Sequence, residues 1–363
     1  MHNNYCIDMK QATTLDQQIT LLRSRGIIIT DEQKAKEVLM DIGYYRLGFY
    51  LFPFEKSHPK LKGRSHDYKE GTKLSDAVTL YYYDFDLRNT LMRFINRIEV
   101  AFRTYMIYEL SNKYKNEPTW FISPQIVSQR FIQSFDNEIY NDNFRKNPVI
   151  QRHHRKYIND KYAPAWKSIE FMTLGNVLKL YQNLKCLNDK RTISKHFGIN
   201  QTAIFENYME TIRVIRNKCA HGSPLFDLSL CKSIKNGPAG RFPVGEAQQL
   251  SAAIDVILYM IGTISQNRKN DLLTGLAEIH KIAIEKSPEI EWIIKSIKKK
   301  CHQNTIISEL FVLLQAEKCR YSLCRYALHY KRFQIGLHPL SVKPVCFTNP
   351  LEIHQHNRVG GKR

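Results

Sequence analysis

Over residues 80–114 apolar side chains return every three or four positions. Leu87, Leu91, Phe94, Ile98, Phe102 and Tyr105 form one continuous stripe. That period predicts a long helix with a single buried face. A second stripe, Arg88, Met92, Asn96, Glu99 and Arg103, runs beside the first, with Glu99 and Arg103 at the i, i+4 spacing of a helical ion pair. The same period appears at 163–185, where Ile169, Met172, Leu174, Val177, Leu178 and Tyr181 are expected in the core. It returns in the apolar stretch 246–266 and in 271–297, where Pro288 opens the last helix. The chain therefore reads as all-α.

The shorter elements are marked by caps and breakers. Residues 12–58 predict two short helices and a turn. Thr14 is the first N-cap and Gly26 the stop; Thr30, with Gln33 three residues on, fits a capping box for the second. The second continues into the aromatic segment 43–55, which contains Arg46. Residues 56–73, with Lys56, Lys60, Lys62, Arg64 and Lys69, predict an exposed basic loop. Residues 117–162 are polar and broken by Pro118, Pro124 and Pro148, so a basic connector is expected there. Its cluster of Arg145, Lys146, Arg152, Arg155 and Lys156 suits contacts to a nucleic-acid backbone. A short helix ends at Gly198, and the Gly- and Pro-containing stretch 225–245 reads as an exposed loop. Residues 301–363 predict one more helix-like stretch and a tail expected to be disordered at its end.

Residues 204–224 form the most informative helix. Ile204, Tyr208, Ile212, Ile215 and Cys219 make its apolar seam. Arg213, Asn217 and His221 fall four apart on the opposite side, with Arg216 flanking them. Gly222 and Pro224 stop the helix just past His221. A histidine titrates near neutral pH and can act as general acid or base. An arginine beside it can hold a phosphate and neutralise developing charge. Together they suit RNA cleavage by the neighbouring 2′-OH without a metal. From spacing alone, an Arg and a His near a helix end are more often two ordinary surface residues.

Composition narrows the partner. The net charge is +20, with Lys and Arg spread along all 363 residues, which favours polyanions, RNA first among them. A hydrophobic fraction of 43% supplies an ordinary core. The 8 cysteines are scattered and no Cys/His spacing suits zinc, so free thiols in a reducing cytoplasm are expected, with no metal and no cofactor. The N-terminus is too polar for a signal peptide. The longest apolar run, residues 252–264, is too short for a bilayer and contains Asp255, so no membrane association is expected. No phosphate-binding loop and no internal repeat is found.

The hexad Arg216-Asn217-Lys218-Cys219-Ala220-His221 resembles the R-x4-6-H motif of HEPN-domain ribonucleases. Three further segments resemble the Abi-like family of abortive-infection proteins in phage defence: IGYYRLGFYLFPF at 42–54, the helix at 80–114, and APAWKSIEFMTLGNVLKLYQNL at 163–184. All four follow that family's order within residues 15–290. The resemblance implies a HEPN-type helical bundle with helical extensions, divided as an N-terminal helical region 1–75, a helical domain 76–300 and a C-terminal extension 301–363 without an assigned role. It implies a metal-independent endoribonuclease leaving 2′,3′-cyclic phosphate and 5′-OH ends, with Arg216, His221 and Asn217 catalytic. Arg88, Glu99 and Arg103 are expected to line the cleft. Arg46, Arg145, Lys146, Arg152, Arg155, Lys156, Arg213 and Lys218 are the expected RNA contacts. A homodimer would pool two His and two Arg, and an antitoxin or non-coding RNA is a possible further partner. HGSPLFD after the motif departs from the family's more polar pattern. The alternative is a non-catalytic RNA-binding protein assembled with a structured RNA.

Overall fold

The computed structural model describes residues 11–59 and 63–299. In chain order its helices are α1 (Leu15–Ser24), α2 (Glu32–Asp41), α3 (Tyr44–Leu51), α4 (Leu74–Lys113), α5 (Gln129–Glu138), α6 (Asp142–Arg145) and α7 (Pro148–Lys156). There follow α8 (Ala165–Ser168), α9 (Leu174–Gln182), α10 (Leu187–Lys195), α11 (Thr202–Ala220), α12 (Leu250–Ile264), α13 (Gln266–Lys286) and α14 (Glu291–Lys299). Only isolated bridges, and no β-strand, occur among the described residues. The protein is an all-α bundle. The expected helix and tail of 301–363 lie outside the described residues.

α4 is the axis of the bundle. Leu87, Leu91, Phe94, Ile98 and Phe102 are buried as the stripe requires, and Tyr105 is half-buried at its edge. The helix is 40 residues long, and α3, α10, α11, α12 and α13 all pack on it. Burying this stripe is the main source of its stability, since an isolated helix gains little in water. No helix among the described residues is long and apolar enough to cross a membrane.

Local chemistry sets the N-terminal boundaries. Thr14 is the expected N-cap and forms a capping box with Gln17, which was expected at Thr30 instead: its N–H donates to Oε1 at 2.8 Å, and its Oγ1 accepts from the Gln17 N–H at 3.3 Å. α2 departs from expectation by one residue. Its cap is Asp31, which accepts from the Lys34 N–H at 2.9 Å, and Thr30 lies outside. Gly43, at φ 84°, separates α2 from α3 where one continuous helix was expected. The described parts of this segment, 56–59 and 63–73, are a loop, yet one anchored to the core. The buried Glu55 carboxylate accepts from Arg64 Nη2 at 2.7 Å, Ser57 Oγ at 2.6 Å and the His66 N–H at 2.9 Å. Burial pushes this carboxyl up, but those donors outweigh it and hold it at about 2.

Three further expectations are corrected. Residues 117–162 are not a connector: α5, α6 and α7 are capped by Ser128, Asn141 and Asn147, and they bury Phe131, Phe135 and Ile150 with Trp120, Phe121 and Tyr140. Few but large apolar residues do the packing, so the segment reads as polar. Residues 163–185 bury the six predicted core positions, but α8 and α9 are separate. Thr173 starts α9 afresh by accepting from the Asn176 N–H at 3.2 Å. Residues 225–245 are irregular without being free of the core. Leu225, Phe226, Leu228, Leu230 and Ile234 are buried, and Asn207 on α11 binds both Ser233 O (3.0 Å) and the Lys235 N–H (2.8 Å).

Candidate functional site

α11 buries Tyr208, Ile212 and Ile215 as the seam predicts, along with Phe205 and Met209; Ile204 and Cys219 are half-buried at its margins. It ends at Ala220. His221 is the C-cap, its N–H donating to Asn217 O at 3.0 Å, and its side chain is exposed. Gly222 takes φ 64°, a conformation that side chains resist, and turns the chain away. The histidine thus stands at a helix end with solvent before it.

Arg216, on the turn before, faces α4. Its Nε lies 3.7 Å from Glu99 Oε2, an ionic contact too long for a hydrogen bond. The guanidinium is one-third exposed and has no protein hydrogen bond among the described residues, its buried Nε included. Glu99 is held from the other side. Its Oε1 accepts from Arg103 Nη2 at 2.9 Å, and the same nitrogen donates to Met172 O at 2.9 Å. Arg103, expected as a cleft residue, is itself buried and fixes Glu99 to the start of α9. The result is a relay from a buried arginine through a largely buried carboxylate to an arginine that is one-third exposed.

Arg88, expected in the same cleft, sits elsewhere. It is about 16 Å from Glu99 along α4. It is buried against Asp84 and donates to Tyr50 Oη at 3.1 Å. Asp84 is the residue that the sequence reading missed. Its Oδ2 accepts from Tyr50 Oη (2.9 Å) and from Arg88; its Oδ1 accepts from the N–H groups of Leu225 and Phe226, both at 2.9 Å. The signal was an Asp-x-x-x-Arg pair lying along a helix flank next to the core. Arg46, expected to meet RNA, instead donates Nη1 to Gly222 O at 2.9 Å. The turn after His221 is therefore held by Arg46 at its first residue and by Asp84 a few residues later.

The other expected contacts divide. Arg213 is occupied by Glu210, at 2.8 and 2.6 Å. Asn217 and Lys218 are half-buried beside the motif and make no side-chain hydrogen bond among the described residues. Arg145 lies 4.7 Å over the Tyr140 ring. Lys146, Arg152, Arg155 and Lys156 are exposed, with no carboxylate partner among the described residues. Cys219, inside the motif, has its thiol pushed up to about 12 by burial, with Arg88 opposing and Asp84 adding to the shift. No group of His, Cys, Asp and Glu among the described residues could hold a metal ion.

A family model described as Abi-like protein matches residues 37–227, more than half of the chain. The matched stretch runs from α2 through α4 and α11 to the residues that Asp84 binds. No curated protein matches the chain, and no solved structure does.

Proposed function

The chain belongs to the Abi-like family of abortive-infection proteins, which act in phage defence, and from that premise we propose that it is a metal-independent endoribonuclease whose reaction centre is Arg216 and His221. The observation that carries this reading is the one-third-exposed guanidinium of Arg216, beside Glu99 and without a protein hydrogen bond among the described residues, one turn before an exposed His221. A cation so placed is suited to the scissile phosphate of RNA and to the extra charge of its transition state. His221 would accept the 2′-OH proton or protonate the departing 5′-oxygen. The bond formed joins the 2′-oxygen to phosphorus and the bond broken releases the 5′-oxygen, leaving 2′,3′-cyclic phosphate and 5′-OH ends. Asn217, beside the pair, would orient substrate.

One histidine cannot serve as base and acid at once. A symmetric dimer that brings two α11 ends together would supply both, and two-fold pairing is the commonest form of self-association. The HEPN-type assignment and the dimer stand on this chemistry and on the motif.

The test is cleavage of RNA in EDTA by the wild-type protein and by His221→Ala, with the product ends characterised. Cleavage by the wild type alone, leaving cyclic phosphate ends, is the expected result. RNA binding that is equal in both proteins, with no cleavage by either, would instead favour a non-catalytic RNA-binding protein. The unpaired Arg152, Arg155 and Lys156 on α7 are the observation behind that second reading.

A further inference from the structure

We propose that the outward face of α7, together with Trp166 on α8, is a binding site for single-stranded RNA, separate from the reaction centre. It rests on the reading of RNA as the ligand and is independent of whether that RNA is cleaved.

α7 is amphipathic in an unusual sense. Ile150 and His153 are buried, and His154 is half-buried against Tyr140, its Nε2 3.0 Å from the hydroxyl. At about 100° per residue these three mark one side of the helix. Arg152, Arg155 and Lys156 project from the other side, and all are exposed. Between residues 145 and 167 the sequence has seven Lys and Arg against a single carboxylate, Asp160. That carboxylate faces the His153 ring at 3.0 Å, so it does not neutralise the outward side. Arg23 and Lys34, also exposed, each have a carboxylate partner, whereas Arg152, Arg155 and Lys156 stand together on one helix face without any. A face without partners concentrates positive potential, which is what a phosphate chain seeks.

Aromatic surface adjoins this face. Trp166 is 51% exposed and Tyr157 45%, both against the hydrophobic tendency of their rings. Lys156 Nζ lies 5.3 Å over the Tyr157 ring, and Tyr157 packs on His153 at 4.9 Å. Lys167, next to Trp166, brings its Nζ to 3.5 Å from His153 Nδ1, so α8 meets α7 at His153, the residue on which Tyr157 packs. Exposed rings beside unpaired cations are the elements with which proteins hold unpaired strands: bases stack on the rings, and phosphates meet the cations. A duplex keeps its bases stacked on one another and offers none to Trp166.

The experiment uses the full chain and a 2′-O-methylated single-stranded RNA, on which cleavage by a neighbouring 2′-OH cannot occur. Tryptophan fluorescence reports the contact directly. Of the 3 tryptophans, Trp120 is buried, while Trp292, 45% exposed beside Lys69, is accessible as Trp166 is, so the Trp166→Phe difference isolates the Trp166 signal. The RNA is expected to quench the signal, and Trp166→Phe to remove most of that quenching. Trp166→Ala is expected to weaken binding by about 5- to 100-fold. Arg152→Glu with Arg155→Glu should also weaken it and reduce the slope of log K against log salt by about 1.4. Unchanged affinity and salt slope in the double variant would overturn the proposal, as would equal affinity for a duplex of the same length. A shift of Trp166→Ala from dimer to monomer with RNA affinity retained would overturn it too, by giving the face to a second copy of the chain. If unmodified RNA survives intact while this binding behaves as expected, the nuclease reading fails and the site stands. If the variants cleave with unchanged affinity, the site fails and the nuclease reading stands.

Discussion

The carboxylate of Asp84 holds the N–H of Phe226 at 2.9 Å, across 142 positions of sequence. Through this bond and its twin to Leu225, a residue in the first third of α4 sets the path of the chain just after His221. Burial pushes the Asp84 carboxyl up; Arg88, the two N–H groups and Tyr50 pull it the other way. Asp84→Ala would leave the Arg88 charge buried and two backbone donors without a partner. Breaking a buried pair in this way costs about 3–5 kcal/mol, so a fall of that size in the urea unfolding free energy is expected. A loss below ~1 kcal/mol would mean that solvent replaces the carboxylate.

Arg46 offers the complementary experiment, because it is exposed and touches the same turn from outside. Arg46→Ala removes one hydrogen bond, worth about 0.5–1.5 kcal/mol, and should leave the fold intact. If the turn positions His221, the cleavage rate at saturating RNA falls while affinity changes little, and Arg46→Lys restores part of the rate. A change in affinity alone would make Arg46 an RNA contact, as the sequence first suggested.

At the proposed reaction centre, His221→Ala is expected to slow cleavage by about 10²–10⁴-fold. Arg216→Ala should slow it by about 10²–10³-fold, with EDTA making no difference to either protein. Glu99→Gln tests the relay. It keeps the shape but loses the charge facing both arginines, so a loss of about tenfold, roughly 1.4 kcal/mol of positioning, is expected. Full activity in Glu99→Gln would reduce the carboxylate to a packing partner of Arg103.

Much of this arrangement was legible in the sequence because it depends on short-range rules. The stripe of α4, the Thr14 cap, and the stop at Gly222 that leaves His221 at the helix end all follow from period and breaker residues. The Glu99–Arg103 pair follows from i, i+4 spacing. What was not legible depends on contacts between distant segments. Nothing near Arg88 in sequence says that Tyr50 and the 225–226 backbone will surround Asp84, so Arg88 was assigned to the wrong neighbourhood on its helix. Arg46 among aromatics was expected to contact RNA, and nothing near it in sequence announces its 2.9 Å bond to Gly222 O. Residues 117–162 were misread for another reason. A few Phe and Trp side chains bury as much surface as a longer row of Leu, and a count of apolar positions does not weigh them.

Cys219 gives a chemical check on the packing of the motif helix. Its thiol is pushed up to about 12 by burial, while Cys231 lies exposed on the loop beyond. The thiolate is the species that alkylates. Treatment of the native protein with iodoacetamide at pH 8, followed by peptide mapping, should therefore modify Cys231 well before Cys219. Comparable labelling of the two would mean that the end of α11 opens readily.

Asp255 provides a pH signature for the bundle itself. It is half-buried on α12, within an apolar run, and has no hydrogen-bond or ionic partner among the described residues. Burial alone pushes its carboxyl up to about 7, whereas in the unfolded chain it returns to an ordinary ~3.9. Between these values the folded protein holds a proton that the unfolded chain has lost. The contribution of this group is therefore neutral below about pH 4 and becomes a growing penalty as the pH rises to 7, after which it levels off. The full difference corresponds to about 2–4 kcal/mol, allowing for partial contact with water. Asn has nearly the shape of the protonated acid and does not titrate. Asp255→Asn should thus match the wild type in urea stability at pH 4 and exceed it at pH 8 by an amount in that range. A stability difference that stays the same at both values would show that the carboxylate is solvated, and that α12 sits less deeply in the bundle than its burial indicates.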